Sequence, residues 1–116
     1  MKVGVYGTLK RGFWNHRLLR GSDYIRDAVV SGFRLYESGI PFAMEDEASP
    51  YPLSIEVYRV DDTILQRLDM LEGHPTAYER KPFNVDGDEV WIYTYNHEGV
   101  TQHTTLNTTG VYPIDR

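Results

Sequence analysis

Apolar and polar residues follow recognisable periods along most of this chain. "KVGVYG" (residues 2–7) reads as a strand that stops at Gly7. Asn15 is placed to cap a short helix, "HRLLR", which Gly21 closes. "AVVSGFRLYE" (28–37) forms a second strand region interrupted by Gly32. The segment "SGIPFAMEDEASPYP" (38–52) carries glycine and proline breaks around an acidic centre and reads as a long loop, a candidate lid. In "LSIEVYRV" (53–60), Leu53, Ile55 and Val57 alternate with Ser54, Glu56 and Tyr58, as in a half-buried strand. Asp61 or Asp62 then caps a helix, "TILQRLDMLE" (63–72), ended by Gly73 and Pro75. "ERKPFNV" (79–85) and "EVWIYTYN" (89–96) are strands joined through Asp86-Gly87, a hairpin signal. The tail "TTLNTTGVYPIDR" (104–116) shows no period and receives no assignment. Strands thus dominate over a single long helix. The pattern predicts an α+β fold on a small mixed, curled or barrel-like sheet, and a length of 116 residues suits one domain spanning 1–116.

Composition narrows this picture. Nine tyrosines in a chain that is 13% aromatic suggest a tyrosine-lined interior or pocket, offering bulk with a polar tip. A net charge of −5 argues against a nucleic-acid binder, whose affinity rests on clustered cations. The absence of cysteine removes disulfides, thiolate metal sites and thiol nucleophiles. No apolar run approaches the roughly 18 residues of a spanning helix, and Met1-Lys2 leads straight into a strand, so the expectation is no membrane partner and a cytoplasmic location.

Two places carry candidate chemistry. The first is "VYGTLKRGFWNHRLL" (5–19), a glycine-bearing turn after a strand, which is a common way to present backbone N–H groups to an anion. "GTLKRG" opens like a phosphate-binding loop, but Phe13 and Trp14 stand where its lysine and hydroxyl belong, so that reading fails and a plain strand-ending turn remains open. The second is Glu72. At about 100° per residue, Ile64, Leu65, Leu68 and Leu71 share one arc of the helix, and Glu72 projects inside it, whereas Gln66, Arg67, Asp69 and Met70 fall outside. A carboxylate on a core-facing stripe must be paired or must face a cavity. The alternative is that Glu72, at the helix end, bends back to solvent or pairs with a core arginine such as Arg80. In a cavity, burial and the negative helix end would both raise its pKa toward neutrality, where a general acid/base works best. The four histidines show no i, i+4 metal-binding pair, the 45–47 acidic run lacks calcium-loop spacing, and no serine sits in a nucleophile elbow, so neither metal nor cofactor is expected.

"VYGTLKRG" with "NHRLL" at 15–19, together with "LDMLEGHPTAYERKPFNV" at 68–85, resembles the γ-glutamylcyclotransferase-like family, most closely its γ-glutamylamine cyclotransferase branch. "GIPFA" and "IEVYRVDD" are similar to weaker family blocks, with Ser54 where many members carry glycine, and the resemblance covers most of residues 3–95. It implies a small α+β domain, a mixed sheet curled into a barrel and a cavity at one mouth. It also implies that the turn Tyr6, Gly7, Thr8 and Leu9 grips the α-amino and α-carboxyl end of a small γ-glutamyl substrate, that Glu72 is the acid/base, and that Tyr78 orders the pocket. The implied reaction is intramolecular attack of the substrate's α-amine, yielding 5-oxoproline and a free amine without a cofactor. γ-Glutamyl amino acids as substrates, or a non-catalytic protein binding a small carboxylate, are the alternatives.

Overall fold

The computed structural model describes residues 1–97 and 102–114. Residues 115–116 of the unassigned tail lie outside them. Among the described residues, eight strands form two sheets. The larger contains β1 (Lys2–Val5), β2 (Asp23–Val30), β5 (Leu53–Arg59), β6 (Glu79–Val85) and β7 (Asp88–Thr94), in the order β2-β5-β1-β7-β6. β1 lies at its centre, antiparallel to β5 and parallel to β7. The smaller sheet has the order β4-β3-β8, from β3 (Phe33–Glu37), β4 (Pro41–Glu45) and β8 (Thr105–Asn107). One α-helix, α1 (Asp62–Glu72), follows β5, and a short 3₁₀ helix spans Trp14–Leu19. The fold is α+β with a mixed sheet, as the sequence predicts. No closed ring of strands forms among the described residues; the sheets instead meet where the Tyr95 N–H donates to the Ala43 carbonyl at 2.9 Å.

The alternation of side chains explains why the larger sheet is covered on both faces. Val3 and Val5 of β1 join Tyr93, Ile64 and Leu68 in one buried cluster, beneath α1. Ile55, Val57, Val90 and Ile92 point the other way and meet Phe33, Leu35 and Ala43 of the smaller sheet. Full burial of a side chain such as Leu68 or Ile64 is worth about 1.5–3 kcal/mol before the entropy of ordering is subtracted. The 6–7 hairpin turns through Asp86 at φ 53° and Gly87 at φ 89°, the paired positive angles that a two-residue connection prefers.

Three local expectations are corrected, and the unassigned tail gains a strand. The 38–52 segment is not one long loop or lid, because Pro41–Glu45 pairs along its whole length with β3. Two of its three acidic residues are tied down, Glu45 to the Lys81 ammonium at 2.7 Å and Asp46 to Arg34. Proline is tolerated there because it opens the strand. The second strand region starts earlier, at Asp23, and Gly32 separates strands of two different sheets. The helix after the first turn is 3₁₀ and begins at Trp14, with Phe13 at its N-cap making no side-chain bond; Asn15 is used elsewhere. The tail carries β8, a strand too short to show a period.

Candidate active site

The first turn is built where β1 runs out between its two neighbours. Tyr6 is buried, and its hydroxyl donates to the Tyr93 carbonyl at 2.8 Å while accepting the Ala43 N–H at 3.0 Å, so one side chain links β1, β7 and β4. Gly7 sits against the start of β4, where a Cβ would lie 2.4 Å from Pro41 Cγ; only glycine fits. The Lys10 N–H donates to the Gly7 carbonyl at 3.1 Å and closes the turn. Asn15 Nδ2 donates to Thr8 Oγ1 at 3.0 Å, and His16 Nδ1 lies 2.9 Å from the Leu9 carbonyl, so the 3₁₀ helix braces the turn from behind. Among the described residues, no protein acceptor takes the Thr8 or Leu9 N–H.

Glu72 arrives from the other side. Asp61 caps α1 by accepting the Ile64 N–H at 2.8 Å, Ile64 and Leu68 bury the helix, and Gly73 ends it in the left-handed region at φ 65°. The chain then folds back so that the Tyr78 N–H donates to the Glu72 carbonyl at 3.0 Å, and the Tyr78 hydroxyl donates to the Pro41 carbonyl at 2.8 Å. Pairing of Glu72 with Arg80 does not occur. The Arg80 guanidinium is engaged by Asp69, Nε to Oδ1 at 3.0 Å and Nη2 to Oδ2 at 3.1 Å, and Asp69 also accepts the Tyr93 hydroxyl at 2.6 Å. Glu72 is half-buried, and among the described residues its carboxyl has no hydrogen-bonding or ionic partner. Loss of water pushes its pKa up to about 7. Burial, reinforced by the proximity of Glu72, also pushes the Tyr6, Tyr78 and Tyr93 hydroxyls upward, which leaves all three as proton donors at neutral pH.

These two constructions enclose one cavity of about 140 Å³. All six residues singled out in the sequence, Tyr6, Gly7, Thr8, Leu9, Glu72 and Tyr78, line it. So do residues the sequence did not flag, among them Asn15, Ile40, Pro41, Leu71 and Tyr93. Leu71 shares the apolar arc of α1 but lies past the packed turns of the helix, so it faces the cavity instead of the core. Among the described residues, no three His, Asp or Glu side chains cluster as a metal site would require. The arrangement can do proton chemistry: an unpaired carboxyl poised near neutrality faces a turn with two free backbone donors.

A family model described as "Gamma-glutamyl cyclotransferase, AIG2-like" matches residues 3–113. The chain belongs to that family. It is 39% identical over 100 residues to a Methanocaldococcus jannaschii protein with a provisional gamma-glutamylcyclotransferase name, covering 80% of this chain and 82% of that one. A gamma-glutamylaminecyclotransferase of Rattus norvegicus is 31% identical over 113 residues, covering 81% and 76%. The crystal structure of an AIG2-like protein from Mus musculus superposes with a TM-score of 0.78 at 27% identity, covering 96% of this chain and 86% of the other. This γ-glutamyl cyclotransferase family member is therefore an enzyme of cyclotransferase type, with a small γ-glutamyl compound as the class of substrate. No helix among the described residues is long and apolar enough to cross a membrane.

Proposed function

We propose that this chain converts γ-glutamyl amides of amines into 5-oxoproline and the free amine, with Glu72 moving the proton. The observation that carries the reading is the unpaired Glu72 carboxyl in the cavity, raised to about 7 by burial. The substrate's α-ammonium, beside its own carboxylate, titrates above the roughly 8 of a peptide's terminal amine, so an acceptor raised to about 7 lies much closer to it than an ordinary carboxyl and can still give the proton back. The substrate's α-carboxylate and γ-carbonyl need donors, and the Thr8 and Leu9 N–H groups at the end of β1 supply them without a cation.

The reaction then balances on one side chain. Glu72 takes a proton from the α-ammonium, and the freed nitrogen attacks the γ-carbonyl to form the ring C–N bond. The negative charge that develops on the carbonyl oxygen is met by the backbone donors. As the tetrahedral intermediate collapses, the exocyclic C–N bond breaks and Glu72 gives its proton to the departing amine; the ring nitrogen, left positively charged by its attack, then loses its second proton to the regenerated carboxylate, which passes it to the free amine or to water. Because nucleophile and electrophile share one molecule, fixing a folded conformer supplies much of the acceleration. Tyr6, Gly7 and Tyr78 serve by holding the turn and the helix end at a fixed spacing.

The assignment to amines over α-amino acids rests on the likeness of residues 5–12 and 15–17 to the γ-glutamylamine branch and on the rat relative's name. Purified protein offered equal concentrations of γ-glutamyl-ε-lysine and γ-glutamyl-α-alanine should release 5-oxoproline faster from the first. Preference for the second would assign it to amino-acid substrates. Binding of 5-oxoproline with no release from either would make it a binding protein.

A further inference from the structure

We propose that Ile40 and Leu71 form an apolar mouth that selects the leaving group, favouring γ-glutamyl amides whose nitrogen carries an unbranched aliphatic stem. This rests on reading the cavity as a cyclotransferase site. Ile40 lies in the turn before β4 and is 57% exposed; Leu71 lies in the last turn of α1 and is 41% exposed; both line the cavity. Side chains that line a cavity yet remain this open mark its mouth. Neither belongs to the two buried clusters, so the core does not enclose them. Scattered exposed aliphatic residues are ordinary on a protein surface, but two on the rim of one cavity, brought there by separate elements, are placed together.

The direction of the substrate makes this rim the leaving-group side. With the glutamyl head on the turn 6–9 and the reacting carbonyl at Glu72, the amine is left the open rim of the cavity, which Ile40 and Leu71 line. The charge of the lining acts in the same sense. No lysine, arginine or histidine is among the described lining residues, and Glu72 is its one carboxyl group. An α-amino-acid leaving group would bring its own carboxylate close to Glu72, partly desolvated and with no cation to pair it. An alkyl stem carries no such charge and covers Ile40 and Leu71 instead. Each methylene buried there should raise kcat/KM about threefold to fourfold, until the stem outgrows the rim.

The test is a series of γ-glutamyl amides of methylamine, ethylamine, propylamine and butylamine, with 5-oxoproline release measured for the wild type, Ile40→Ser and Leu71→Ser. The wild type is expected to favour the butylamide over the methylamide by about tenfold or more, and each substitution to reduce that ratio at least threefold. Because the ratio is taken within one protein, general damage to the enzyme cancels. A flat series with clear 5-oxoproline release would overturn the apolar mouth while leaving the cyclotransferase reading in place. A steep series retained in both variants would overturn the role of Ile40 and Leu71. Absence of 5-oxoproline from every amide would instead refute the cyclotransferase reading on which the inference rests.

Discussion

Glu72 carries a cost to the fold alongside the chemical role proposed for it, and one substitution separates them. Glu72→Gln keeps the length of the side chain but cannot accept an ammonium proton. Turnover should fall by about 10² to 10⁴, the usual contribution of a positioned acid/base, while 5-oxoproline still binds. The same change should raise stability in a pH-dependent way. The folded carboxyl titrates at about 7 against an ordinary 4.5, so between these values the native state binds the extra proton, and stability falls as pH rises through the window. The full difference is at most roughly 3 kcal/mol, and residual solvent contact reduces it. Wild type and Glu72→Gln should therefore melt close together near pH 4.5 and diverge toward pH 8, with the variant the more stable; equal melting temperatures at pH 8 would contradict a desolvated carboxyl. In wild-type kinetics, kcat/KM should climb with pH through about 7, as the free enzyme's base loses its proton.

At the scale of elements, the Asp69 to Arg80 pair keeps a guanidinium occupied one helical turn from the Glu72 carboxyl. Asp69→Asn weakens that hold, and a less committed Arg80 should favour ionised Glu72, so the rise of kcat/KM should move to lower pH. The variant should also lose about 1–3 kcal/mol of stability, since the pair is largely shielded and also receives the Tyr93 hydroxyl. An unmoved pH profile would show the pair to be structural only. Tyr78→Phe removes the donor to the Pro41 carbonyl and should cost about 1–2 kcal/mol while loosening the β4 wall of the cavity, read as a raised KM. These elements also show what a sequence can and cannot reveal. The 3.6-residue period was enough to place Ile64 and Leu68 in the core and Glu72 on their side of α1, because those relations lie within one helix. The period could not place Leu71, whose surroundings depend on what stops covering α1 near its end. Nor could it reveal that Asp69 captures Arg80 and Tyr93, partners 11 and 24 residues away on strands. β4 was hidden because a five-residue strand opening on proline and closing on acidic residues looks like a loop until its ladder with β3 is seen.

Over the whole molecule, the tail strap and the first turn are one construction. Lys10, directly after the turn, donates from its ammonium to the Tyr112 carbonyl at 2.8 Å, and the buried Glu37 carboxylate accepts Asn107 Nδ2 at 2.7 Å and the Ile114 N–H at 2.9 Å. Gly110 lets the strap press onto β5: at φ 77°, a Cβ there would lie 2.2 Å from the Pro52 carbonyl oxygen. Gly110→Ala should therefore lift the strap, lower the melting temperature by several degrees and impair turnover through the loosened turn, with hydrogen exchange rising first in β8 and β3. An unchanged exchange pattern would show that the strap does not hold the smaller sheet. The position of β1 has another consequence, one of timing. It precedes both of its partners in the chain, and the two edges of its backbone wait for β5, some fifty residues later, and for β7, some ninety residues later. Such distant pairings place refolding toward the millisecond-to-second range of sheet-rich domains. A nascent chain therefore carries the glycine turn well before β7 has emerged to fix it, so the proposed ligand grip is made early in synthesis and becomes competent late.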